Sequence, residues 1–83
     1  MATDENLCTY ESVEIRHADQ LIIRMLNFCI INNVSVCRYS LEQTGQIVEL
    51  KCHYERLENP NSSGIIRIIR EIMTLQNQLP ARK

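Results

Sequence analysis

Eighty-three residues give room for one domain, close to the lower limit at which a chain buries a self-sufficient core. A hydrophobic content of 45% is normal for a globular chain and excludes a disordered reading of its middle. The formal net charge of −1 argues against a protein whose main task is gripping phosphate backbones, since that affinity comes from summed Lys and Arg charge.

Residues 1–6 are polar and acidic, unlike a signal or transit peptide, and are expected to form a flexible N-terminus. The longest apolar stretches, 21–23 and 28–31, are too short to cross a bilayer, so no membrane partner is expected. A reducing cytoplasmic or nuclear setting follows, with the four cysteines mostly free thiols. A single α+β domain is expected over 7–79, with 80–83 as a C-terminal tail.

Segment 7–16 is open between two readings. Its Thr, Tyr, Val and Ile favour an extended arm or short strand with Glu11, Val13 and Ile15 on one face. Alternatively Ser12 caps a helix that runs straight on. From about Ala18 the helical period is clear: Ala18, Leu21, Ile22, Met25, Leu26 and Cys29 recur at three- and four-residue spacing, and Asn32-Asn33 supplies a stop. Ile23 and Ile30 widen the apolar arc beyond one core-facing stripe. They are covered either by the N-terminal segment or by a partner.

Between Val34 and Leu57, Thr44-Gly45 separates two alternating runs, the pattern of a β-hairpin. A turn centred on those two residues sets Leu41 opposite Val48, Tyr39 opposite Leu50, Cys37 opposite Cys52 and Ser35 opposite Tyr54. Arg38, Ser40, Glu49, Lys51, His53 and Glu55 then form a solvated face. Residues 58–64 form a loop by composition, in which Ser62 or Ser63 caps a last helix from about Gly64 to Gln78. Its apolar face holds Ile65, Ile68, Ile69, Ile72, Met73, Leu75 and Leu79, extended by Ile66. The order is arm or strand, helix, strand, strand, helix. Two helices would pack on one face of a central antiparallel hairpin.

Sites for chemistry are not evident. Cys8, His17, Cys29, Cys37, Cys52 and His53 show no zinc-knuckle spacing, so no metal and no cofactor is expected. A Cys37–Cys52 disulfide is the sharper alternative to free thiols, because a paired position in a hairpin sets Cα atoms about 5.5 Å apart. Cys52 with His17, or Cys8 with His53, has the elements of a nucleophile and base, but spacing selects neither. Two glycines leave no phosphate loop, so an enzyme is not expected.

The helices carry more apolar surface than one hairpin can cover. The expected function is therefore a non-enzymatic protein-interaction module (an adaptor, inhibitor or regulatory subunit), acting through apolar helix surface and forming a homodimer. Ile23, Ile30, Ile66, Ile69 and Met73 are the candidate partner-binding residues. Val36 and Ile47, at the hairpin edges, could add a partner strand. The alternative is nucleic-acid binding through Arg67 and Arg70 with Arg16 and Arg24, helped by stacking on Tyr10, Tyr39 or Tyr54 if these are exposed. One contiguous apolar patch would favour the first reading, one contiguous basic face the second.

Overall fold

The computed structural model describes residues 7–56 and 62–79. Strand β1 (Cys8–Glu14) leads through a single 3-10 turn (Ile15–His17) into helix α1 (Asp19–Asn32). Strands β2 (Val34–Thr44) and β3 (Ile47–Arg56) form the hairpin, and helix α2 (Ser63–Asn77) follows. The expected flexible N-terminus, the C-terminal tail and most of the loop at 58–64 lie outside the described residues.

The architecture is α+β, with an antiparallel sheet of three strands rather than an isolated hairpin, in the order β1-β3-β2. Within segment 7–16, Cys8–Glu14 resolves as a strand that pairs along β3, from Cys8 opposite His53 to Glu14 opposite Ile47, and Ile15 and Arg16 enter the 3-10 turn. The pairing makes β3 the centre. Its Val48, Leu50, Cys52 and Tyr54 are all buried, while the residues between them are half-buried or exposed. Such strict alternation fixes the register, because a slip of one residue would turn the buried set to water.

The hairpin differs from the sequence expectation in two respects. The turn centres on Gly45 and Gln46, so Leu41 meets Leu50 and Tyr39 meets Cys52. Gly45 adopts φ 62°, and the Gln43 side-chain amide donates to its carbonyl at 2.9 Å. Putting the positive φ on glycine leaves β-branched Thr44 in the ladder, opposite Ile47. This is a shift of two residues, which preserves the faces. A bulge between Val36 and Arg38 then reverses the parity of what precedes it, so Val36 pairs with Tyr54 and Val34 with Arg56. Val34 and Val36 thereby join Tyr39 and Leu41 on the core side. Val36 is buried instead of sitting at an exposed edge, Cys37 is exposed, and Ile47 belongs to the central strand.

Both helices lie on one side of the sheet. From α1, Leu21, Met25 and Cys29 enter the core; from α2, Ile68 and Ile72 do. Phe28 tilts onto Tyr54 with ring centroids 4.5 Å apart. Asn33 ends α1 in the left-handed conformation (φ 56°, ψ 50°), its N–H returning to the Cys29 carbonyl. Ser62 stands at the N-cap of α2 without a side-chain capping bond. The first turn of α2 lies close against β2: a Cβ on Gly64 would sit 3.0 Å from the Val36 carbonyl oxygen.

Burial along α2 sets a contrast that unfolding can measure. Ile72 is fully buried and Ile66 is 51% exposed. Ile72→Ala should cost about 2–5 kcal/mol in urea unfolding, and Ile66→Ala less than about 1 kcal/mol.

Candidate functional site

The helical layer can be built from its contacts. The Arg24 guanidinium donates to the Glu11 carboxylate at 3.0 Å, setting one flank of α1 over β1. On α2 the Tyr39 hydroxyl donates to Glu71 at 2.6 Å, setting one flank over β2, at the opposite edge of the sheet. The remaining flanks face each other, and the helices touch. Gly64 lies by Val36, just after the end of α1, whereas the Gln76 amide donates to the Ile15 carbonyl at 3.4 Å, just before its start. The two helices therefore run antiparallel.

At 3.6 residues per turn, Ile22 and Leu26 of α1 and Ile69 of α2 sit on the facing flanks, and all are half-buried against the core. One step further from the sheet come Ile23, Ile30, Ile66 and Met73. Their exposures are 56%, 77%, 51% and 53%, which makes the outer shoulders of the helix pair strongly apolar. Ile66, Ile69 and Met73 also border a shallow depression with Arg70, Thr74 and Asn77. Of the candidate partner-binding residues, Ile69 is the one drawn down toward the core. Ile31 was not a candidate, yet it is 79% exposed. It lies on the side of α1 that carries Gln20 and Arg24, and its only sequence signal was an isoleucine out of phase with the core stripe.

The candidate nucleic-acid residues fall into two sets, Arg67 and Arg70 one turn apart on α2, and Arg16 and Arg24 on the β1 side. Arg16 pairs with Glu14 beside the 3-10 turn at 3.0 Å, and Arg24 is held over β1 by Glu11. Both pairs are exposed and so worth at most about 1 kcal/mol. Arg67 borders a polar cleft with Val36, Cys37, Arg38, Tyr39 and Glu55, and Arg70 lies further along α2. Of the tyrosines, Tyr54 is buried, Tyr39 half-buried beside Glu71, and Tyr10 exposed on the open face of the sheet.

On that open face Cys8 stands opposite His53, and the Cys37 thiol approaches the His53 carbonyl at 3.3 Å. Cys52 lies on the other face beneath the helices, opposite Tyr39, so the Cys37–Cys52 pairing considered from sequence does not form. His17 is exposed in the 3-10 turn, away from the buried Cys52. Among the described residues no group of three or more His, Cys, Asp or Glu side chains could hold a metal ion. No helix is long and apolar enough to cross a membrane, among the described residues.

The perturbed titrations are structural in origin. Burial pushes the Cys52 thiol up to about 11 and raises that of Cys29. Burial, then the hydrogen bond to Glu71, pushes Tyr39 up to about 12. Burial also raises Tyr54, which shares a 2.8 Å hydrogen bond with Thr9. A hydrogen bond to Glu49 raises Tyr10. Protonated thiols under a helical layer are poor nucleophiles.

No protein-family model matches the chain, and no similar curated protein or solved structure is found.

Two measurements check this interior. A thiol reagent should modify two cysteines in the native protein, Cys8 and Cys37, and all four after denaturation. Because folding raises the Tyr39 pKa above its ordinary value of 10, the folded state holds that proton more tightly. The associated stability is complete below about pH 10 and is lost as pH rises through about 12. Denaturant midpoints of the wild type should fall across that window. Tyr39→Phe should fall less steeply there, after losing about 1 kcal/mol at neutral pH.

Proposed function

We propose that this protein is a non-enzymatic interaction module, an adaptor, inhibitor or regulatory subunit of the cytoplasm or nucleus, that binds protein through its helical layer. One observation carries the reading. Ile23, Ile30, Ile66 and Met73 remain largely exposed on the shoulders of two adjacent helices, although the same helices already fill the core with Leu21, Met25, Ile68 and Ile72.

An apolar surface of this kind is costly in water, and its burial against a partner is worth roughly 25 cal/mol per Å² before the losses of association. A few side chains near the centre of an interface usually carry most of its affinity. The layer offers such anchors on regular helices, whose shape is set before any partner arrives. The arginines, spread over separate edges and balanced by nearby acids, support a solubilising role over a phosphate-binding one.

Affinity capture from the native cell tests the proposal. Wild-type protein should retain a protein partner, Ile30→Lys should lose it, and Arg67→Ala with Arg70→Ala should keep it. The opposite pattern, with heparin retention that falls steeply with salt and disappears in the arginine variant, would turn the reading toward nucleic acid.

A further inference from the structure

The outer surface of the helical layer has an internal regularity that bears on the kind of partner it fits. On α1 the residues Ile23, Leu26 and Ile30 are spaced by three and then four; on α2, so are Ile66, Ile69 and Met73. That is the repeat by which packed helices interlock side chains along a seam. Within each row the middle residue is half-buried and the outer two stand out from the surface. The rows also match in level. With Gly64 beside Val36 and Gln76 beside Ile15, Ile30 lies level with Ile66, and Ile23 with Met73.

We propose that the occupant of this surface is a second copy of the same chain, packed layer to layer about a two-fold axis that runs parallel to the helices. The proposal rests on the interaction role argued above and names its partner. Rotation about such an axis preserves height and direction along the helices. It sets α1 over the partner's α2, antiparallel, and α2 over the partner's α1. Ile23 then meets the partner's Met73, and Ile30 meets the partner's Ile66. The result is a four-helix layer in which every neighbouring helix runs the opposite way, a common bundle arrangement.

Charge is compatible with this pairing. Asp19 and Arg70 are the charged residues nearest the two rows, and each comes level with an uncharged amide, Asp19 with the partner's Asn77 and Arg70 with the partner's Asn27. Like charges are not brought together, and a net charge of −1 gives two copies little mutual repulsion. Size sets the strength. Helices of 14 and 15 residues are about 21 Å long, and two set roughly 10 Å apart present a plan of about 400 Å² before side-chain relief. That is below the about 800 Å² per partner of a standard interface and in the range of weak, transient association. Micromolar rather than nanomolar association is expected.

Sedimentation equilibrium of the full chain and of a complementary pair of variants tests the proposal. The wild type should dimerise in the micromolar range. Ile23→Lys and Met73→Glu, both at exposed positions, should each weaken dimerisation at least about tenfold while keeping the wild-type circular dichroism spectrum and, at concentrations where all are monomeric, the wild-type melting. Mixing the two variants should restore the dimer, because the introduced lysine faces the introduced glutamate while the second Ile23–Met73 contact stays native. A mixture that remains monomeric overturns the antiparallel pairing. A wild-type dimer indifferent to both substitutions places self-association elsewhere and overturns the proposal. A wild type monomeric at millimolar concentration also overturns it; if Ile30→Lys still abolishes partner capture in that case, only the second copy falls and the interaction role stands.

Discussion

The double pairing of β3 is the constraint on which the molecule depends. It is the strand with a neighbour on each side, and one of its faces holds Val48, Leu50, Cys52 and Tyr54 against both helices. Antiparallel ladders tolerate one solvated face, and this sheet uses the allowance fully, with Tyr10, Lys51 and Ser40 in one cross-strand row on the open side. The buried face has no slack, since every alternate residue of β3 must point inward. That parity determines where the turn falls, which side of β1 meets the helices, and why β2 needs an extra residue at Cys37 to keep its valines inside.

A core one layer deep limits what the helices can bury. The sheet face is only three strands wide, so each helix can lay just its lower arc upon it. Apolar residues higher on the wheel stay exposed whatever the quality of packing below. The exposure of Ile23, Ile30 and Ile66 is thus a geometric consequence of broad apolar arcs on a narrow support, and their placement on neighbouring shoulders follows from the helices lying side by side, whereas Ile31 stands apart on the far side of α1.

Much of this was legible in the sequence. The spacing of Leu21, Met25 and Cys29, and of Ile68 and Ile72, located both helices to within a residue or two at each end, and Asn33 was readable as a stop because asparagine tolerates the left-handed conformation. Alternation over 48–54 identified the buried face of β3. The strand character of 7–16 stayed ambiguous, since its half-buried residues include polar Thr9 and Glu11 and its partner strand lies some forty residues away. The turn was misplaced by one residue because Thr-Gly and Gly-Gln both supply a glycine, and only the cost of a positive φ at a β-branched residue separates them. The bulge had a visible trace that period-two reasoning passed over: Val34 and Val36 are out of phase with Tyr39 and Leu41, and a single extra residue reconciles them. The candidate surface residues are the apolar positions that flank the core stripe, and Ile31 escapes that criterion because it sits among polar neighbours on the wheel.

The edge strands carry a further consequence. β1 directs the charged Glu11 to the side of the sheet where the helices lie, tethered there by Arg24, and β2 is interrupted by the bulge at Cys37. An inward carboxylate and a kinked rim are both obstacles to a foreign strand that would extend the sheet. Lateral growth into fibres is thereby discouraged at each border. A chain so arranged can expose apolar helix surface without its sheet edges inviting open-ended growth.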